Sequence, residues 1–180
     1  SNEHQGYSEQ GRRVIAQPDA IAWNIFDARL HTLGNDFEDF KNAVAAGAVK
    51  TATTVDELAA LCDLPAAALA ATLAETEQLA AGEGVDEFGR DFTTKLALVP
   101  PYHAIRVTGS VFHTQGGLIV DAEARVQRAD GSSLPNLFAG GGAARGLSGP
   151  SDWGYLSGNG LLTAVTLGRI AGRCAAGMAG

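Results

Sequence analysis

The stretch that decides the reading is Leu137 to Leu162, LFAGGGAARGLSGPSDWGYLSGNGLL: a short apolar strand, a glycine-rich turn, and the entry to a long apolar helix. Gly140, Gly141 and Gly142 lack the Cβ that would hold a ligand away from the main chain. Further on, Ser157, Gly158, Asn159 and Gly160 precede Leu161, Leu162, Val165, Leu167 and Ile170. That order predicts a helix whose first free N–H groups and positive dipole end face outward at about Gly158 to Leu161. Anionic or electron-rich groups suit such a place. Tight turns packed on a sheet explain one glycine cluster equally well, and it is the second cluster close by that favours a binding surface.

Composition narrows the classes. Of 180 residues 46% are hydrophobic, enough for a real core in one large or two small domains. A net charge of -7, with no basic stripe among the 13 Lys and Arg, argues against a nucleic-acid partner. Cys62 and Cys174 stand far apart in no metal-ligand spacing, so neither a metal site nor a disulfide framework is expected, and a reducing, cytoplasmic compartment fits. The apolar run after Gly160 is broken by Thr166, Gly168, Arg169 and Gly172, which argues against a membrane span.

Taken in order, the chain predicts a helix over Glu9 to Ala16, a strand over Ala20 to Phe26, a helix from Asp27 to about Gly34, another over Asp36 to Ala46, and a short strand over Ala48 to Ala52. Thr54 and Glu57 make a capping box before Leu58 and Leu61, and Pro65 opens a helix with Leu69, Leu73 and Leu79 on its buried side. Beyond about residue 100 strands are expected over Ala104 to Thr108, Gly117 to Asp121, Arg125 to Arg128 and Leu137 to Ala139, the last two joined through Asp130-Gly131. A helix over about Gly158 to Ala176 closes the chain, with Leu161, Val165, Gly168 and Gly172 as the face to lie on the sheet.

The chemistry-bearing candidates are few. In VFHTQGGL, Val111 to Leu118, His113 and Thr114 stand at a strand end before Gly116 and Gly117. An imidazole and an alcohol there can meet a bound carbonyl or carboxylate, and glycines leave room for a flat ring; a histidine bonded within a turn is the plainer alternative. Arg145 could hold a carboxylate in two-point fashion or face solvent, and Tyr155 could donate a proton or simply pack. Gly140-Gly141-Gly142-Ala143-Ala144-Arg145 approaches a dinucleotide fingerprint but carries Arg145 at the third glycine position, and Pro150 and Gly154 break the helix that should follow. His4, His31 and His103 read as surface or structural residues, and Asp152 and Trp153 have no assigned role.

The ordered motifs FHTQGGL, GLIVDAEARVQRADGSSLPNLFAGGG and SGNGLLTAVTLGRIAG resemble the C-terminal part of the flavin domain in the fumarate reductase and succinate dehydrogenase flavoprotein family, which includes soluble fumarate reductases and 3-ketosteroid dehydrogenases. The likeness covers about Pro101 to Gly172. Upstream, the opening SNE, the helices TVDELAAL and LPAAALAATL, and FGRDF look like that family's mobile capping domain. The resemblance implies an α+β chain: a helical capping segment, residues 1–100, then part of a flavin-binding domain, residues 101–180, with a small β-sheet and a long C-terminal helix.

It further implies FAD as cofactor in the complete protein and hydride transfer at a carbon next to a carbonyl or carboxylate of a small-molecule substrate. His113 and Tyr155 would be catalytic. Gly141, Gly142, Ser157, Gly158, Asn159, Gly160, Leu161 and Leu162 would contact the cofactor, and Thr114, Gly116, Gly117 and Arg145 the substrate. Three departures matter: the family's GE pair is Gly141-Gly142 here; GPSDWGYLSGN stands where dicarboxylate reductases carry an arginine; and HQGYSEQ lacks the arginine expected after NE. Tyr155-x-Ser157-Gly158 resembles the ketosteroid branch, so the departures point from fumarate toward a ketone or other conjugated carbonyl compound. No N-terminal glycine fingerprint for the ADP half is visible, so the chain is expected to be the C-terminal piece of a flavoenzyme that relies on the N-terminal FAD-binding part of the same protein. The strands at Ala104 to Thr108 and Leu137 to Ala139 would then lack partners, which predicts self-association. The competing reading is a non-catalytic glycine-rich domain that binds a partner or a small anion.

Overall fold

The computed structural model describes residues 4–110, 113–148 and 152–178. Ser1 to Glu3, Val111 and Phe112, and Pro150 lie outside the described residues. The order is α1 (Tyr7–Ile15), β1 (Ile21–Asp27), α2 (Ala28–Gly34), α3 (Glu38–Ala45), β2 (Val49–Ala52), α4 (Val55–Cys62), α5 (Ala66–Ala80), β3 (Tyr102–Thr108), β4 (Arg125–Gln127), β5 (Ser133–Phe138) and α6 (Asn159–Met178). This is the mixed α+β class that the sequence predicts. The chain forms two compact units, one of residues 13–109 and one of residues 6–12 with 110–180.

The first unit is built on an antiparallel sheet in the order β1-β3-β2. Phe26 and Thr51 both register with His103 across the two ladders. Here the structure corrects an expectation: β3 is the central strand, paired with β1 along its length and with β2 over Tyr102 to Ile105. The alternation of its side chains sends Ala104 into a core with Ala52, Leu58, Ala59, Cys62 and Leu69, flanked by Trp23, Ile25, Leu73 and Tyr102. Leu58 is fully buried, which contributes about 2 kcal/mol by area. Helix α4 is aimed onto the sheet by the predicted capping box: Glu57 N–H donates to Thr54 Oγ1 at 3.2 Å and Glu57 Oε2 accepts from Thr54 N–H at 3.2 Å. At the end of β1, Asp27 both caps α2 and holds the Arg29 guanidinium.

The second unit has a small core of Val126, Ala139 and Ala144, with Val120, Leu134 and Leu167 packed on it. Strands β4 and β5 pair as a hairpin across Asp130-Gly131. Asp121 pins its base: Ser133 Oγ donates to Oδ2 at 2.7 Å, Arg125 Nε donates to Oδ2 at 2.9 Å, and the Arg125 N–H donates to Oδ1 at 2.9 Å. These bonds, led by that from Ser133, hold the Asp121 carboxyl down at about 2.

Two expectations fail in this unit. Gly117 to Asp121 makes no strand; it makes single bridges, Leu118 with Ala144 and Val120 with Val126. The segment changes partner within two residues, which leaves no continuous ladder. The face of α6 is also displaced. Leu161 and Val165 are 78% and 72% exposed, and Gly168 and Gly172 have open space where a Cβ would stand. Leu167 packs on the core instead, and Thr163 is buried with its hydroxyl donating to the Asn159 carbonyl at 2.9 Å. Close packing does occur on α6, but its glycines come from the turn before it: a Cβ on Gly140 would stand 3.1 Å from Leu167 Cβ, and one on Gly141 3.2 Å from Ala164 Cβ.

Candidate functional site

The first turn of α6 sets the site. Gly158 takes φ +84° and its carbonyl accepts from Leu162 N–H at 3.0 Å, while Asn159 N–H donates to Leu156 O at 3.1 Å. Helix geometry then leaves the Gly160 and Leu161 amides without intrahelical partners, at the positive end of a 20-residue helix. A Cβ at Gly158 would meet nothing within 4 Å, so the turn stands open. Leu161 and Leu162 are exposed, as is Ser157.

Asn159 points the other way. It is 2% exposed; its Nδ2 donates to Ser148 Oγ, which also accepts from Leu156 N–H at 3.1 Å. One hydroxyl thus ties the glycine loop to the helix start, and among the described residues Asn159 Oδ1 is a buried acceptor with no partner. The outward amides of Gly160 and Leu161, without intrahelical partners, suit a ligand edge that carries an acceptor.

His113 lies against this turn. A Cβ on Gly160 would stand 3.1 Å from both its Cε1 and Nδ1, so glycine at 160 lets the imidazole sit on the helix start. Its other neighbour is Tyr155, with ring centroids 6.0 Å apart. Tyr155 in turn meets Tyr7 of α1 edge to face at 5.4 Å. The hydrogen bond with Tyr7, more than the desolvation beside it, raises the Tyr155 hydroxyl above its ordinary value. A run of three titratable rings therefore leads from α1 to the start of α6.

Other candidates are less concentrated. Thr114 and Arg145 are exposed, and the Arg145 main chain donates to Leu118 O at 2.9 Å. Gly116 and Gly142 border open space. Gly117 and Gly141 are glycines for packing reasons: a Cβ on Gly117 would meet the Ala144 carbonyl carbon at 2.4 Å, and Gly141, at φ +57°, faces Ala164. Among the described residues no group of three or more His, Cys, Asp or Glu is placed to hold a metal ion.

Tyr7 is the residue that the sequence reading misses. Its only signal is an aromatic side chain in the polar opening HQGYSEQ, and nothing local links it to Tyr155, 148 positions on. The same segment is fixed by Gly154 N–H donating to Glu9 Oε1 at 3.2 Å and by Arg12 with Asp152 at 2.9 Å, which gives Asp152 a structural part.

A family model described as FAD binding domain matches residues 6–161. The chain is similar to the fumarate reductase (cytochrome) of Shewanella frigidimarina, 27% identical over 175 residues, covering 97% of this chain and 30% of that protein. Among solved structures it superposes on the open conformation of a flavocytochrome c3 fumarate reductase with TM-score 0.68 at 27% identity, covering 96% of this chain and 30% of the other. It superposes on the 3-ketosteroid delta1-dehydrogenase of Sterolibacterium denitrificans with TM-score 0.65 at 27% identity, covering 95% and 36%. The chain thus spans about a third of the length of these relatives.

Proposed function

The chain belongs to the FAD binding domain family, and on that premise we propose that the complete protein is an FAD-dependent oxidoreductase whose C-terminal part is formed by these residues. The reaction is hydride transfer between the flavin and a carbon next to a carbonyl or carboxylate of a small molecule, and the rest of the protein supplies the ADP-binding half. The relatives with fumarate reductase and 3-ketosteroid dehydrogenase names support this reading over a non-catalytic glycine-rich module. Two free thiols, Cys62 and Cys174, accord with a reducing compartment, and we place the protein in the cytoplasm. Among the described residues no helix is long and apolar enough to cross a membrane.

The observation that carries the proposal is the contact of His113 with the open first turn of α6. Bound FAD would supply the hydride-accepting or hydride-donating ring. The free amides of Gly160 and Leu161, with the helix dipole behind them, fit the flavin end where negative charge gathers on reduction. Gly158, Asn159 and Leu162 shape that turn, Ser157 leads into it, Gly141 keeps the preceding loop close to the helix, and Gly142 borders the open side. His113 then orients a substrate oxygen, Tyr155 holds a proton for the reacting carbon or oxygen, and Tyr7 keeps that phenol protonated and in place. Thr114, Gly116, Gly117 and Arg145 border the substrate side. The absence of the dicarboxylate-binding arginine from GPSDWGYLSGN favours a ketone or other conjugated carbonyl compound over fumarate.

The test is an absorption spectrum of the complete protein with a turnover assay on conjugated carbonyl compounds under flavin-reducing conditions. Flavin bands and turnover are expected; a colourless protein overturns the proposal.

A further inference from the structure

The first unit holds a histidine cluster that the proposed chemistry does not use. His103, on the central strand β3, is 6% exposed, and its ring stacks on that of His31 in α2 with centroids 4.4 Å apart and planes inclined by 22°. Phe26 of β1 stacks on His103 at 5.6 Å, and Phe40 of α3 meets both Phe26, at 6.1 Å, and His31, at 5.5 Å, edge on. Four rings from four elements therefore make one cluster, in which α2 and α3 meet the sheet.

The partners of the imidazoles are neutral. Thr51 Oγ1 of β2 lies 2.9 Å from His103 Nδ1, and Asn35 Nδ2 lies 3.2 Å from His31 Nδ1. The nearby acid is Asp27, but its oxygens are already taken by Arg29 Nε at 3.0 and 2.9 Å, by the Arg29 N–H at 3.0 Å and by the Val99 N–H at 3.3 Å. Of the other charged groups on these elements, Lys41 of α3 pairs with Glu38 at 3.7 Å, and Lys50 of β2 donates to Gly47 O at 3.1 Å. Asp36 and Asp39, between α2 and α3 and on α3, are exposed to solvent. A proton added to the stack thus meets neutral ring partners and an Asp27 already engaged, and two protons place like charges 4.4 Å apart.

We propose that the stacked His31–His103 pair is a proton-sensitive fastening, which holds α2 on the three-stranded sheet while both rings are neutral and releases it on acidification. Burial, then the charge of His31, lowers the His103 pKa from 6.5, against a smaller opposing effect of Asp27. The direction follows by linkage. Below the ordinary histidine value the opened state binds a proton that the closed state refuses, so stability is full above about 6.5 and falls as pH drops toward the lower value of His103. One proton makes the opening equilibrium at most about tenfold more favourable per pH unit across that window.

Amide hydrogen exchange of the complete protein, corrected for intrinsic rates, reads this at α2. Protection over 28–34 is expected to fall about fivefold between pH 6.5 and 5.5, while α5, remote from the pair in sequence, keeps its protection. His103→Phe, which keeps a stacking ring and removes the titration, is expected to flatten the pH dependence; should it fail to fold, His31→Phe is measured in its place. Protection of α2 that does not change with pH in the wild-type protein overturns the proposal, as does a fall that persists in the folded variant.

Discussion

Tyr7 and Tyr155 stand 148 positions apart in the chain and meet edge to face, 5.4 Å between ring centroids. The neighbouring Tyr7 hydroxyl favours the protonated phenol, so Tyr155 ionises above the ordinary phenol value and remains a proton donor through neutral pH.

Removing the partner tests that statement. Tyr7→Phe keeps the ring contact and deletes the hydroxyl, so the Tyr155 pKa is expected to fall back toward 10. Ultraviolet difference titration of the variant, beside Tyr155→Phe to assign the signal, reads the shift. A raised pKa belongs to a group whose folding contribution is full below its unfolded value and is lost as pH rises through the folded one. The variant is therefore expected to be insensitive to a change in alkaline pH that the wild type feels, and an unchanged Tyr155 titration rules the hydrogen bond out.

His113→Ala in the complete enzyme is expected to lower turnover by about a hundredfold, the typical loss for a positioned polar or acid-base group, with flavin content unchanged. Turnover equal to that of wild type removes His113 from the chemistry. Loss of flavin together with turnover assigns it to cofactor retention instead.

Charge at the helix start offers a second route to the same turn. Gly160→Asp would crowd His113 as well as oppose the dipole, because its Cβ would fall 3.1 Å from the imidazole. Leu161→Asp separates the two effects, since Leu161 is largely exposed. A carboxylate there is expected to disfavour the reduced flavin by about 0.5–1 kcal/mol and to lower its potential accordingly. A potential that stays level or rises places the flavin elsewhere.

In the first unit, Asp27 is 1% exposed and joins β1, α2 and the chain near Val99 through Arg29 and two main-chain amides. The side-chain bond from Arg29 is the main reason its pKa lies below 3.8. Its stabilisation is therefore present above the unfolded carboxyl value and lost as pH falls below it. Asp27→Asn is expected to cost about 2–3 kcal/mol at neutral pH, with the exposure of Arg29 keeping the figure at the lower end for a broken pair. Denaturant unfolding at pH 7 measures the loss.

Much of this was legible because it is local. Thr54 and Glu57 announce a capping box that the structure contains, Gly47 ends α3 at φ +73°, and Asp130-Gly131 turns the hairpin. The helix start at Gly158 was readable for the same reason. What the sequence hid depends on which distant surfaces meet. Gly140 and Gly141 look like a ligand-facing loop, but their missing Cβ atoms let α6 approach. Leu161 and Val165 have the helical spacing of a buried face, and only the placement of Leu167 on the hairpin core shows that they lie outward. His31, His103 and Tyr7 carry no motif, because each acquires its partner from another element.

That outward face bears on the last prediction: the 180-residue chain alone binds FAD weakly and has no oxidoreductase activity. The pyrophosphate of FAD needs a glycine turn and helix N-terminus fed by a first strand, and these residues supply only a surface suited to the flavin end. The relatives are about three times as long as the matched region, which leaves ample chain for the missing half. Leu161 and Val165 on α6, and the outer edge of β5, are then open to a second copy, whereas β3 is already paired on both sides over Tyr102 to Ile105. Self-association is accordingly expected through the second unit, and Val165→Lys should weaken it. Titration with FAD followed by flavin fluorescence, with sedimentation of the same sample, measures both. Tight stoichiometric binding by a monomer would show that the residues described here complete the cofactor site by themselves, and the division of labour argued above would fall with it.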